Sequence, residues 1–119
     1  MIESDLQDNR IVDIARDCAR LLDEKKAADI IILDLSKINN YFDYFIISTG
    51  NSFLHCRSLG REIRKLFKAI SLKERSKSKL DSGWILLDYT DIVVHIFTQE
   101  MREFYQLEKL WADATRIVF

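Results

Sequence analysis

Residues 83–111 read GWILLDYTDIVVHIFTQEMREFYQLEKLW. Two apolar runs, Trp84 to Leu87 and Ile92 to Phe97, flank a short polar break, which is typical of a β-hairpin. Thr98 then begins a helical pattern that continues to about Trp111. The stretch therefore predicts two antiparallel strands followed by a helix.

The tightest loop for this hairpin has Tyr89 and Thr90 at its tip and pairs Asp88 with Asp91. Side chains alternate faces along a strand, so this register divides the hairpin into two sets. One set is aliphatic and is predicted to face the core: Ile85, Leu87, Ile92, Val94 and Ile96. The other set is chemically mixed, as on a surface that meets a partner: Trp84, Leu86, Asp88, Asp91, Val93 and His95.

Two interpretations of Asp88 and Asp91 remain open. Like charges directly opposite on paired strands are destabilising unless a positive group lies near them. Both residues are either ordinary turn aspartates that accept bonds from nearby backbone N–H groups, or a carboxylate pair awaiting a basic partner or a metal.

The composition predicts one soluble globular domain that spans residues 1–119. The 119 residues are 48% hydrophobic and 31% charged, with a net charge of −1 and a pI of about 6.1. This charge does not favour non-specific nucleic-acid binding, although a local basic patch remains open. The N-terminus lacks a signal-peptide pattern and no apolar run is long enough to span a bilayer, so we expect a cytoplasmic protein without a membrane partner.

The remaining chain shows alternating helical and strand patterns. Ser4 and Gln7 fit a capping box before an amphipathic helix, and strands are predicted at Ile30 to Leu35 and Phe42 to Ser48. A second helix follows the turn at residues 50–52, and the tail from residue 112 has no assignment. Two cysteines, Cys18 and Cys56, fall on apolar helix faces and are predicted to be buried free thiols. The order α-β-β-α-β-β-α favours an α/β (α+β) fold with one mixed sheet and helices packed on it.

Two further segments each have a structural and a ligand-binding interpretation. Gly50 to Ser52 joins a strand to a helix N-terminus, which is either a common cap or a phosphate site. Residues 71–82, SLKERSKSKLDS, show no usable periodicity and form a mobile basic loop, which is either solvated or in contact with a phosphate backbone such as rRNA.

Catalytic motifs are absent from the sequence, which contains no G-x-S-x-G, H-E-x-x-H, Walker or G-x-G-x-x-G pattern and no zinc spacing. The alternative function is a nucleotide-binding or nucleotidyltransferase-like enzyme that uses the Gly50 to Ser52 turn, but two carboxylates converging on a metal are missing. A binding surface fits better, because Trp and Tyr are common interface anchors. Trp84, Tyr89, Tyr105 and Trp111 supply the rings, and the nearby carboxylates favour a basic protein partner.

Four stretches resemble the ribosomal silencing factor family, also called Iojap-like. They are AADIIILDLS at 27–36, FDYFIISTGNS at 42–52, GWILLDYTDIVVHIF at 83–97 and REFYQLEKLWADA at 102–114. The resemblance runs from about residue 10 to 114, which leaves 115–119 as an unplaced tail. It implies a mixed sheet of 4–5 strands, related in shape to nucleotidyltransferases but without their catalytic acids.

The resemblance also implies a function without catalysis, cofactor or metal. The expected partner is ribosomal protein fourteen of the large subunit, bound on the face that joins the small subunit, so that translation is repressed when nutrients are limiting. Self-association of the free protein could cover the same face. The residues carried over by motif to partner binding are Trp84, Leu86, Asp88, Tyr89, Asp91, His95, Tyr105, Glu108 and Trp111. Thr90 stands where the family usually has Gly, and Thr is less tolerant of positive φ.

Overall fold

A computed structural model describes residues 2–38 and 41–119, with side chains from residue 10 onward. The capping box predicted for Ser4 and Gln7 rests on side chains outside that part. The elements of the described chain, in order, are α1 (Ile2–Glu24), β1 (Ala28–Asp34), β2 (Tyr44–Gly50), α2 (Phe53–Ala69), β3 (Trp84–Asp88), β4 (Ile92–Thr98), α3 (Gln99–Tyr105), α4 (Leu107–Leu110) and β5 (Thr115–Ile117).

The strands form one five-stranded sheet in the order β3-β4-β2-β1-β5. The central pair β2–β4 is parallel, and every other neighbouring pair is antiparallel. All residues of β2 are buried, because this strand lies in the middle of the sheet with structure on both faces. The predicted α+β class with a mixed sheet and packed helices is confirmed.

The two faces of the sheet carry separate apolar cores. On the helix side, α1 and α2 pack their apolar stripes, including Cys18, Leu22, Leu59 and Phe67, onto the sheet. Cys18 and Cys56 are both buried free thiols, as predicted. On the opposite side, the chain after β4 covers a smaller core that includes Leu33, Leu35, Phe45, Ile47, Val93, Phe97 and Leu107.

The hairpin has the predicted faces but a different register. Trp84 pairs with Phe97 and Asp88 with Val93, so the predicted pairing of Trp84 with His95 is wrong by two residues. The last pair is Asp88 with Val93, so the tip is longer than the tightest loop, and within it the Asp88 carboxylate accepts the Thr90 N–H at 2.9 Å. A shift of two residues preserves both faces of each strand, so the aliphatic set still faces the helices.

After the hairpin, one sequence expectation is corrected and the tail, which had no assignment, is placed. The single helix predicted from Thr98 to Trp111 is broken at Gln106, which adopts a left-handed conformation with φ of 47°. The unassigned tail forms β5, which pairs antiparallel with β1 and extends the sheet to a fifth strand. Arg16 donates from Nε to the carbonyl of Val118 at 3.0 Å, which holds the end of the chain against α1.

Candidate functional site

Aromatic rings line the sheet face opposite α1 and α2. The Trp84 indole stacks on Phe97 at a centroid distance of 5.0 Å and lies 4.7 Å from the ring of Tyr105. Phe104 meets Tyr105 edge-on at 4.9 Å, which carries the row of rings outward to the surface. Such edge and offset contacts stabilise the rings by about 0.5 to 1.5 kcal/mol per pair beyond the effect of buried area. The hairpin and α3 therefore build one continuous aromatic cluster.

Sequence reasoning missed the most exposed members of this region. Phe104 is 76% exposed and Leu110 is 75% exposed, on the two short helices that cover this side of the sheet. Tyr105 of α3 is also exposed, and so is Leu86 of β3, which pairs with His95. The sequence signal for these exposed residues was the helical spacing of large apolar side chains after Thr98. The break at Gln106 changes which of these side chains point outward. We call the exposed set Leu86, Phe104, Tyr105 and Leu110, with the half-buried Trp84 beneath it, the aromatic face.

His95 lies beneath this face rather than on it. Its side chain is 3% exposed and packs against the Phe45 ring at 4.6 Å. Nδ1 accepts the indole N–H of Trp84 at 3.0 Å, which places the remaining imidazole proton on Nε2. Nε2 has no hydrogen-bond partner within the described part of the chain. Burial lowers the pKa of His95 to about 3, so the ring is neutral near pH 7.

Tyr89 lies on the other side of the sheet. Its side chain is 5% exposed and meets Phe67 of α2 edge-on at 4.4 Å. Burial raises the pKa of its hydroxyl to about 12. The folded hairpin therefore uses Tyr89 to anchor its tip on α2, away from the aromatic face.

Two of the three carboxylates expected to meet a basic partner have partners within this chain. Asp88 lies 3.7 Å from the Arg75 guanidinium and also caps the Thr90 amide. Glu108 accepts from Arg102 Nε at 2.7 Å. For Asp88, the interpretation as a turn aspartate is thus confirmed.

Asp91 is exposed, and its backbone carbonyl accepts the amides of Asp43 and Tyr44 at 3.1 and 2.9 Å. These bonds attach the hairpin tip to the start of β2. The Asp91 side chain makes no ion pair among the residues that the structure describes. It is the carboxylate of the three whose charge remains available at the surface.

Arg102 fixes the segment that carries the aromatic face. Its guanidinium reaches Glu108 of α4 through Nε and Thr49 of β2 through Nη1, the latter at 2.9 Å. Because this arginine lies in α3, one side chain ties three elements together across the break at Gln106. Trp111 completes the arrangement by packing edge-on against Phe45 at 5.8 Å.

The Gly50 to Ser52 turn has the geometry of a helix cap. The Asn51 amide donates to His55 Nδ1 at 2.9 Å, and Ser52 Oγ accepts the His55 amide at 3.0 Å. A Cβ added to Gly50 would lie 2.6 Å from Cys56 Sγ, so close packing against α2 explains this glycine. The turn's internal hydrogen bonds do not favour the interpretation as a phosphate site.

The described residues contain no group of three or more His, Cys, Asp or Glu side chains that could hold a metal ion. Over the same part of the chain, every helix is too short or too polar to cross a membrane.

The fold and site together define a small mixed-sheet domain that presents an aromatic surface. The model of the family described as ribosomal silencing factor during starvation matches residues 8–119. The chain is 37% identical to the ribosomal silencing factor RsfS of Bacillus subtilis over 102 residues. This alignment covers 85% of this chain and 86% of that protein. The chain belongs to the ribosomal silencing factor family.

Two further relatives extend the comparison. The chain is 30% identical over 95 residues to the mouse protein named mitochondrial assembly of ribosomal large subunit protein 1, covering 76% of this chain and 42% of that one. A crystal structure of a Chromobacterium violaceum protein superimposes with a TM-score of 0.80 at 30% identity, over 86% of each chain. The resemblance to this family expected from the sequence is thus confirmed.

Proposed function

We propose that this protein is a ribosomal silencing factor that binds ribosomal protein fourteen of the large subunit. Bound there, it sterically blocks joining of the small subunit and represses translation under nutrient limitation. Family membership supports the proposal, as do the names of the relatives from Bacillus subtilis and mouse. A steric block needs only affinity and bulk, so the protein is proposed to act without catalysis or a cofactor. The proposed place of action is the cytoplasm.

The exposure of the aromatic face is the observation that carries this proposal. Large apolar side chains grouped on a surface mark sites of protein association. Phe104 and Leu110 leave most of their side chains in water, while Trp84 and Arg102 hold the segment beneath them rigid. A rigid surface loses little side-chain entropy on binding, which favours affinity.

The nine residues carried over by motif take two roles in this proposal. Those at the surface contact the partner directly: Trp84, Leu86, Asp91, Tyr105 and, at its edge, Trp111. The remaining four keep that surface in shape through internal contacts: Asp88, Tyr89, His95 and Glu108. Self-association of the free protein through the same face is compatible with this division of roles.

Co-sedimentation with purified large and small ribosomal subunits tests the proposal. The unmodified protein is expected to pellet with large subunits alone and to prevent their joining to small subunits. The double variant Phe104→Ser and Leu110→Ser is expected to lose at least tenfold in affinity, because it removes two exposed anchors.

Phe53→Ser with Leu54→Ser is the matched control, since these two apolar side chains are also exposed but lie on α2. The control is expected to bind normally. Equal binding by the first variant and the unmodified protein would show that the aromatic face is the wrong surface. Absence of the unmodified protein from the large-subunit pellet would overturn the function itself.

A further inference from the structure

The basic segment, residues 71–82, is held to the fold by alternate side chains. Leu72 and Leu80 pack against the core on the helix side, and Leu80 lies close to Gly60, where a Cβ would be 3.0 Å away. Glu74 accepts from Arg64 Nε and Nη2 at 2.8 and 3.0 Å and from the Ser78 amide at 3.0 Å. The even-numbered residues 72, 74, 78 and 80 therefore point inward.

The residues between these anchors are cations that point outward. Lys73, Arg75, Lys77 and Lys79 are all exposed, at every second position of the chain. Arg75 approaches Asp88 at 3.7 Å, whereas the three lysines form no ion pair within the described residues.

A cleft of about 370 Å³ runs beside this row of cations. Lys65 and Lys68 of α2 and Lys77 of the basic segment all line it, and Lys65 also pairs with Glu62 at 3.6 Å. Glu74 also lines the cleft, but its charge is compensated by the two-pronged contact with Arg64. The cleft is consequently bordered by lysines from both α2 and the basic segment.

The segment is attached to the hairpin that carries Trp84. The Arg75 amide donates to the Asp88 carbonyl at 2.7 Å, at the end of β3, which is an edge strand of the sheet. The basic segment and the aromatic face thus lie on either side of one strand. A partner that reaches around this edge meets rings on one side and cations on the other.

We propose that the basic segment and the lysines of the cleft bind the sugar–phosphate backbone of RNA on the large subunit, an inference that rests on the proposed function. The exposed side chains here are Lys, Arg and Ser, which suit phosphate groups more than an apolar protein surface. Tyr89, the aromatic ring that lines the cleft, is buried against α2, so it offers no platform for base stacking. The contact is therefore with the backbone and independent of base sequence.

The salt dependence of binding tests this inference. The triple variant Lys73→Gln, Lys77→Gln and Lys79→Gln is compared with a control that neutralises three exposed cations elsewhere, Arg20→Gln, Lys37→Gln and Arg116→Gln. Affinity for purified large subunits is measured by co-sedimentation from 50 to 200 mM salt. In parallel, fluorescence anisotropy measures binding to a mixed-sequence single-stranded RNA of twelve nucleotides, with and without inorganic phosphate as competitor.

Each phosphate contact to a single strand contributes about 0.7 to the slope of log affinity against log salt, so the triple variant is expected to lose about 2 from the slope. The control is expected to keep the slope of the unmodified protein. An unchanged slope in the triple variant would overturn the inference, even if large-subunit binding itself is intact.

The two proposals fail in different ways. If the unmodified protein does not bind large subunits, the proposed function fails. The anisotropy measurement with the RNA oligonucleotide then tests the basic segment by itself. Loss of oligonucleotide binding in the triple variant supports the segment as an RNA site, and equal binding by both proteins contradicts it. Competition by millimolar phosphate as strong as by RNA would instead indicate a site for a free phosphate ion and overturn the backbone contact.

Discussion

The indole N–H of Trp84 donates to Nδ1 of His95 at 3.0 Å, from the edge strand β3 to its neighbour β4. One bond thus links a half-buried ring of the aromatic face to a fully buried imidazole. It requires a neutral His95, because a doubly protonated ring has no acceptor atom. The integrity of the surface therefore depends on the protonation state of a residue below it.

Protonation of His95 is expected to destabilise the fold in acid. In the folded protein the pKa of His95 is lowered to about 3. Between pH 6.5 and 3 the unfolded chain therefore binds a proton at this residue that the folded protein does not. The stability due to neutral His95 is complete above about pH 6.5 and declines by about 1.4 kcal/mol per pH unit below it. Urea unfolding of the protein and of His95→Phe from pH 4 to 7.5 checks this, since the variant lacks the titrating group. If the free energy of unfolding falls with pH equally in the two proteins, the lowered pKa of His95 is contradicted.

Removing only the donor of this bond is expected to be costly. Trp84→Phe keeps a ring next to Phe97 and Tyr105 but leaves Nδ1 of His95 buried without its donor. We expect the free energy of unfolding to fall by about 1 to 3 kcal/mol. A double-mutant cycle with His95→Phe isolates the bond, because the paired change removes both polar atoms. If the losses of unfolding free energy in the two single variants sum to the loss in the double variant, the bond contributes nothing.

Thr90 is expected to carry backbone strain at the hairpin tip. Its φ is 75°, in the left-handed region that costs a residue with a Cβ about 1 to 2 kcal/mol. Thr90→Gly should therefore raise the free energy of unfolding by up to about 1 kcal/mol after the entropy cost of glycine. Thermal denaturation measures the effect. Thr115→Gly, at an exposed strand position, is the control and should lower stability. A lower melting temperature for Thr90→Gly would contradict the strain.

Arg102 is expected to hold α3 and α4 on the sheet. Arg102→Met removes its bonds to Thr49 and Glu108 and should cost about 1.5 to 3 kcal/mol, the range for bonds that involve a charged group. Hydrogen exchange should then increase in residues 99–111 more than in β2. Glu108→Gln retains an oxygen acceptor and should cost less. Uniform exchange throughout the Arg102→Met variant would argue against a local anchor.

Several expectations that rest on local pattern are confirmed by the structure. Alternation along the hairpin correctly predicts that Ile85 and Leu87 face the helices, since facing is a property of the strand itself. The helical stripe through Cys18 and Cys56 correctly predicts two buried thiols. The family resemblance also follows from local stretches, because they keep their residues in order.

The hairpin register and the helix break could not be obtained in this way. A shift of two residues leaves the same side chains on each face, so the alternation of apolar residues does not distinguish the two registers. The left-handed Gln106 lies between Arg102, which bonds to Thr49 of β2, and the buried Leu107, and these contacts join residues far apart in the chain. In the basic segment, the alternation becomes visible only once Glu74 meets Arg64.

Hydrophobic periodicity predicted most of the elements and the class of fold, and the resemblance of four stretches predicted the family, because each of these depends on residues close together in the chain. Whether a given polar or aromatic side chain is exposed depended on contacts between distant residues. His95 and Tyr89 are buried beneath rings from other elements, Asp88 and Glu108 are paired with arginines, and Phe104 is left in water. Burial and charge compensation arise only when the elements pack, so the surface available to a partner was settled by the tertiary structure.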